Sequence, residues 1–141
     1  MECGKIKKKE GSDTMKKLIL LLLAAMLLTA CGKGNTQQES IYMNITAQEA
    51  KHIMDTQEGY IILDTRAQYE YDESHIPGAI VIPHDEIKDK AEQMLPDKDQ
   101  LILVYCRSGR RSKLASQDLV DLGYTNIKEF GGIIDWPYEV E

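Results

Sequence analysis

Leu101-Ile102-Leu103-Val104-Tyr105 runs without a charged residue into Cys106-Arg107-Ser108-Gly109-Arg110-Arg111-Ser112, and a helical pattern follows from about Lys113. A short, continuous apolar run suits a strand buried on both faces, as in a parallel sheet. A cysteine at the end of that strand then enters a loop carrying three arginines and a glycine, and the loop feeds a helix N-terminus. Backbone N–H groups, the positive end of a helix dipole and guanidinium charges all favour a thiolate there. Taken alone, a cysteine at a strand end is most simply a small buried hydrophobe. Arg107, Arg110 and Arg111 within five positions of it have no use in that role. Gly109 permits the backbone angles that turn successive N–H groups inward. Such a thiolate is nucleophilic and placed to meet an anion.

Outward from this stretch, strand and helix patterns alternate. Ile41 to Ile45 reads as a first strand, and Thr46-Ala47-Gln48-Glu49 as a capping box opening a helix to about Thr56. Tyr60 to Asp64 reads as a buried strand after Gly59, Ala67 to Asp72 as a helical turn, and Ala79 to Ile82 as a short strand after the turn Ile76-Pro77-Gly78. Asp85 to Leu95 is amphipathic, with Ile87, Ala91, Met94 and Leu95 expected on one face. A helix over Ser112 to Leu122 should bury Ala115, Leu119 and Leu122 and end at Gly123 in a left-handed cap. Ile127 to Phe130 reads as the last strand, followed by Gly131-Gly132. This alternation predicts an α/β fold with a central, mostly parallel sheet and helices on both faces. Ligands in such folds sit at the carboxyl ends of the strands, where Cys106 falls.

The 141 residues do not all belong to that fold. Lys16 and Lys17 precede the apolar stretch Leu18 to Ala30, which is shorter than the roughly 20 residues a membrane-spanning helix needs. It fits the apolar region of an export signal. Leu28-Thr29-Ala30-Cys31-Gly32 resembles a bacterial lipoprotein processing box, which implies lipidation of Cys31 and anchoring of an exported chain to a membrane. Met15 is then the expected start, with residues 1–14 an over-extended N-terminus and 15–30 the signal. Residues 31–40 read as a polar tether after the lipidated cysteine, and 41–141 as one domain. A chain of that length supports one modest core, burying roughly two thirds of its unfolded surface. The whole chain has a net charge of −6, and the part from Cys31 onward is more acidic still, with eleven basic residues against twenty acidic ones. That balance argues against a nucleic-acid partner and makes the arginine loop a local positive feature on a negative body. With Cys31 lipidated, Cys106 has no partner for an intramolecular disulfide. An unpaired thiol in an exported protein calls for an explanation, and catalysis is one. No cluster with metal-ligand spacing appears.

Four pieces in order carry a resemblance: Leu63-Asp64-Thr65-Arg66, His75-Ile76-Pro77-Gly78-Ala79, the Cys106 loop, and Gly131-Gly132-Ile133-Ile134-Asp135-Trp136. Each is weak alone, but their order and spacing resemble the rhodanese-like sulfurtransferases from about Tyr42 to Pro137. The resemblance implies a single-domain, three-layer rhodanese fold without a cofactor. It implies that the Cys106 thiolate attacks the outer sulfur of a small anionic donor such as thiosulfate and forms a persulfide. Cyanide, a thiol or a protein acceptor then takes that sulfur. Arg107, Ser108, Gly109, Arg110, Arg111 and Ser112 become the candidate substrate-binding residues, with loop N–H groups as donors and Arg111 closing the cradle. Asp64 and Arg66 resemble a pair that braces loops at the carboxyl edge of the sheet, and His75 reads as a hydrogen-bonding residue of its turn. His52 and His84 read as surface residues, Trp136 as a core anchor.

Two other classes compete. The rhodanese fold is similar to that of dual-specificity cysteine phosphatases, which use C-x5-R. The sixth position after Cys106 is Ser112, and Arg111 falls at the fifth, so the loop is one residue too short to surround a phosphate in that manner. The second alternative is a sulfur carrier that does not turn over, a redox sensor or a partner-binding module at the membrane surface. The presence of Cys106 and its arginines disfavours a pure binding module.

Overall fold

The computed structural model describes residues 42–141. The signal, the processing box with Cys31, the whole tether and Ile41 of the expected first strand lie outside the described residues. Five strands form one sheet: β1 (Met43–Asn44), β2 (Tyr60–Asp64), β3 (Ile80–Val81), β4 (Leu101–Cys106) and β5 (Ile127–Gly132). All pairs are parallel, in the order β1-β5-β4-β2-β3. Four α-helices connect them: α1 (Ala47–Thr56), α2 (Gln68–Glu73), α3 (Ile87–Met94) and α4 (Arg110–Asp121). Single 3-10 turns cover His84–Glu86 and Ile133–Asp135. This is the expected α/β architecture, with every strand pair parallel rather than most of them.

β4 occupies the centre because its side chains feed both faces. Ile102 and Val104 enter one core with Leu63, Ile87, Ala91, Leu95, Ala115, Leu119 and Ile127, beneath α3 and α4. Leu103 and Tyr105 enter the other with Ile62, Ala50, Ile53, Phe130 and Trp136, beneath α1 and the C-terminal turn. The period-two alternation of a strand thus divides one apolar run between two layers. Trp136 is nearly buried, its ring 5.5 Å from Phe130 and 4.9 Å from Tyr138.

The capping box at α1 forms, with the Glu49 amide donating to Thr46 Oγ1 at 3.1 Å and the Thr46 amide to Glu49 Oε2 at 2.7 Å. Gly123 closes α4 with φ +90°. Two expectations need correction. Met94 is 41% exposed, because α3 ends there and the chain turns so that Leu95, fully buried, takes the core position. α4 begins at Arg110, two residues before the expected start, because Gly109 at φ +93° turns the chain directly into the helix.

Leu103 has no solvent exposure at the middle of the central strand. Leu103→Ala should therefore lower unfolding free energy by about 2–5 kcal/mol, the transfer cost plus that of the cavity left behind. Urea unfolding followed by circular dichroism measures it. A loss below about 1 kcal/mol would mean that β4 is not central to a rigid core.

Candidate active site

β4 ends on Cys106, which is 1% exposed and a free cysteine. Its neighbour across the sheet is Gly132, reached through a register shift between Val104 and Cys106. β5 fits one more residue than β4 into that interval, as a bulge does, and Gly131 takes φ +91° within it. Bulging draws β5 against the loop. A Cβ on Gly132 would land on the carbonyl of Arg107, so glycine alone fits this crossing. The Arg107 carbonyl in turn accepts from the Ile134 amide at 3.2 Å. The start of the loop is thereby fixed to the sheet's carboxyl edge.

Inside the loop the Gly109 amide donates to Cys106 Sγ at 3.1 Å. Burial pushes the thiol up, but hydrogen bonds outweigh it. They come from the Ser112 hydroxyl and from the amides of Ser112, Ser108 and Gly109, and the thiol ends below its ordinary value. Amides in the first turn of a helix have no intrahelical partner, which is why they are free for the sulfur. The loop therefore stabilises an anion at Cys106 mainly through backbone.

The arginines divide into two kinds. Arg107 and Arg110 are exposed, and neither makes an ion pair among the described residues. Ser108 is exposed beside Arg107, while Gly109 and Ser112 are buried. Arg111 is partly buried and held by Glu70 in a two-pronged pair, Nη1–Oε2 2.5 Å and Nη2–Oε1 2.8 Å. Its guanidinium still acts on Cys106 through space. The Arg111 hydrogen bond outweighs burial and holds Glu70 down at about 2, helped by the Ala67 amide, which donates to Glu70 Oε2 at 3.0 Å.

Asp64 and Arg66 form a buried pair, with Arg66 Nη2 2.6 Å from Asp64 Oδ2 and Nε 3.0 Å from both carboxylate oxygens. Arg66 Nη2 also donates to the Ser74 carbonyl at 2.7 Å, tying the end of β2 to the end of α2. His75 stacks on Tyr71 with ring centroids 3.8 Å apart, and its Nδ1 lies 2.9 Å from the Tyr71 carbonyl. Its backbone exchanges two hydrogen bonds with Glu141. These contacts run to α2 and the C-terminal segment. His52 is exposed and His84 half-buried. Among the described residues no cluster of three or more metal-ligating side chains occurs.

Two acidic residues at the site were missed in the sequence. Glu70 is 41 positions from Arg111, and nothing in local pattern joins them. Glu129 is 3% exposed on β5, where its Oε1 accepts from the Ser112 hydroxyl at 2.6 Å and the Gly131 amide at 3.0 Å. Strand alternation, which puts Glu129 on the same face as Ile127, was the available signal.

A cradled cysteine at the carboxyl edge of a parallel sheet agrees with what the chain is similar to. Residues 46–137 match the family described as the rhodanese-like domain. The chain belongs to that family. It is 38% identical over 73 residues to thiosulfate sulfurtransferase PspE of Escherichia coli K12, covering 52% of this chain and 70% of that protein. It is 32% identical over 111 residues to putative sulfur carrier protein YrkF of Bacillus subtilis, covering 78% of this chain and 59% of that protein. With adenylyltransferase and sulfurtransferase UBA4 of Candida albicans it shares 30% identity over 80% of its own length but spans only 27% of that protein. Among solved structures, a rhodanese from E. coli with bound anions superposes with TM-score 0.55 at 34% identity, over 58% of this chain and 96% of that one. A rhodanese-related protein from Thermoplasma volcanium superposes with TM-score 0.61 at 30% identity, over 71% and 98%.

The Glu70–Arg111 pair has a defined pH signature. A carboxyl lowered from 4.5 to about 2 adds stability that is complete above its unfolded value and is lost as pH falls through about 2. NMR titration of Glu70 should give a midpoint well below that of an ordinary glutamate, and Arg111→Ala should raise it toward the ordinary range. An ordinary midpoint in the parent chain would show that the pair does not persist in solution.

Proposed function

We propose that the chain is a sulfurtransferase that moves sulfane sulfur from thiosulfate, or a related small anionic donor, to cyanide or a thiol through a Cys106 persulfide. The observation that carries the reading is the Cys106 sulfur at the end of β4, with the Gly109 amide 3.1 Å away and its thiol below the ordinary value. The thiolate attacks the outer sulfur of thiosulfate, the S–S bond breaks, and sulfite leaves with the bonding pair. The persulfide terminus keeps the single negative charge that the thiolate brought. Cyanide then attacks that terminal sulfur, thiocyanate leaves, and the thiolate is regenerated. Each step passes negative charge along the axis of the cradle, where preorganised N–H donors act as in an oxyanion hole. Arg107 and Arg110, exposed and without ion pairs among the described residues, attract the dianionic donor from the rim. Arg111 supplies fixed charge nearer the sulfur, its direction set by Glu70.

A carrier reading shares the first step and differs in the acceptor, and the similarity to YrkF supports it. There the persulfide persists until a protein thiol takes the sulfur. The second part of the proposal concerns place. Cys31, outside the described residues, carries a lipid that tethers the domain to the outer side of a cytoplasmic membrane or to a periplasm-facing membrane. Among the described residues no helix is long and apolar enough to cross a membrane.

Intact mass spectrometry of the full chain with thiosulfate should show the gain of one sulfur atom, reversed by cyanide and absent in Cys106→Ser. Sulfur transfer retained in that variant would overturn the assignment. Steady turnover with thiosulfate and cyanide marks the enzyme, whereas a stable persulfide with slow turnover marks the carrier. Separately, Cys31→Ser should move the chain from the membrane fraction to the soluble one. Unchanged membrane fractionation would remove the lipid anchor from the proposal.

A further inference from the structure

Ten lysines and arginines lie among the described residues, and six of them form ion pairs: Lys51, Arg66, Lys88, Lys90, Lys98 and Arg111. Of the four without an ion pair among the described residues, Arg107, Arg110 and Lys113 fall together on the Cys106 loop and the first turn of α4, and all three are exposed. On an acidic chain they form a concentrated positive face. Two large aliphatic side chains flank it, Leu114 at 48% and Ile134 at 61% exposure. Leu114 lies one turn after Arg110 on the same helix face. Helical side chains lean toward the N-terminus, so Leu114 covers the turn next to the loop. Ile134 stands on the β5 side, where its amide donates to the Arg107 carbonyl at 3.2 Å. Asp135 follows it, so the positive part of the face is the loop and α4. Between the two aliphatics runs the loop whose Gly109 amide is 3.1 Å from the Cys106 sulfur. Single exposed aliphatics are ordinary on a surface. Here they stand on both sides of the reactive loop, and neither thiosulfate nor cyanide has apolar surface to bury against them.

We propose that this face is the docking surface for a protein sulfur acceptor whose thiol lies on a segment of mixed acidic and aliphatic residues. The inference rests on the Cys106 persulfide of the proposed function and names the class of acceptor that takes its sulfur. Arg107, Arg110 and Lys113 steer the acidic segment, and Leu114 and Ile134 give it apolar contact on either side of the sulfur. Docked there, the acceptor thiolate attacks the terminal sulfur of the persulfide. The S–S bond to Cys106 breaks, the Cys106 thiolate leaves with the bonding pair, and the acceptor keeps the transferred sulfur as its own persulfide anion. An anionic membrane offers similar chemistry, but headgroups pressed against this face would close the way to Cys106. The excess negative charge elsewhere on the chain is also repelled by such a surface. A protein segment is the occupant that uses both the charge and the reactive sulfur.

The probes are two synthetic peptides, each with one cysteine between leucines, flanked by glutamates in the first and by arginines in the second, with free cysteine as reference. The full chain is loaded with thiosulfate, excess donor is removed, and the sulfur gained by each thiol is followed by mass spectrometry at low salt. Transfer to the acidic peptide should be about tenfold faster than to the arginine peptide or to free cysteine, and the advantage should shrink at high salt. Lys113→Glu combined with Leu114→Ser should remove the advantage while transfer to cyanide stays as in the parent chain. Ile134→Ser, on the other side of the loop, should reduce it independently. Equal rates for the two peptides, or an advantage untouched by these exchanges, would refute the proposal. A second readout needs no sulfur chemistry: the acidic peptide with serine for cysteine should slow acetylation of Lys113 by acetic anhydride, and the arginine peptide should not. Lys113 left open by the acidic peptide but covered by phosphatidylglycerol vesicles would assign the face to a membrane and refute the proposal as well. Acetylation requires no persulfide, so failure of thiosulfate loading counts against the proposed function while protection of Lys113 still decides the docking surface.

Discussion

The crossing of Gly132 over the Arg107 carbonyl is the constraint on which the site depends. The loop after β4 must turn tightly enough to aim its amides at Cys106, and it has no regular hydrogen-bond ladder of its own. Its rigidity comes from β5. The bulge carries Gly131-Gly132 up to the loop, where no side chain would fit at Gly132, and the Ile134 amide donates to the Arg107 carbonyl. Gly109 then completes the turn at φ +93°, a conformation costly for residues with a Cβ. Backbone atoms thus define the cradle, and backbone donors are well suited to preorganised anion binding because they lose no rotamer freedom on use.

Charge around the cradle is arranged in layers. Closest to the sulfur are amides and the Ser112 hydroxyl. Arg111 comes next, and its own freedom is removed by Glu70. A lone flexible arginine would lose rotamer entropy on engaging an anion, whereas one held two-pronged by a carboxylate has lost it already. Glu70 also neutralises part of the positive field, so attraction of a dianion falls mainly to Arg107 and Arg110 at the rim. Asp64 and Arg66 lie deeper. A buried pair of this kind is weak evidence for stability in itself, since desolvation offsets much of its attraction. Its use here is geometric: with the Ser74 carbonyl as third partner, Arg66 joins β2 to the end of the α2 segment from which Glu70 reaches Arg111.

The parts of this fold legible in sequence were those fixed by local pattern. The apolar run Leu101 to Tyr105 announced a strand buried on both faces, Thr46 with Glu49 announced a helix start, and Gly123 announced a helix end. The start of α4 was misread by two residues because arginines at 110 and 111 oppose the helix dipole, and nothing local signalled that Glu70 would neutralise one of them. Met94 was misplaced because helical periodicity holds only while the helix lasts, and α3 stops at that residue. Within the site, Cys106 and its arginines were visible as a cluster, but their division into rim and partnered groups was not. That division depends on residues 41 positions away along the chain.

Glu129 shows most clearly why the rest was hidden. In sequence it is one charged residue near the end of a short strand, where an outward, solvated side chain is the ordinary outcome. Whether it faces water or the core is decided by what covers its face: Glu129 keeps the regular alternation of β5, on the same side as Ile127, and the first turn of α4 covers that side. The bulge begins only after Glu129 and seats Gly132 against Arg107, so Glu129 occupies the last regular position of β5 before the cradle. Ser112, in the first turn of α4, gives the buried Glu129 side chain its partner at 2.6 Å, and because the two lie 17 positions apart on different elements, neither announces the other in sequence.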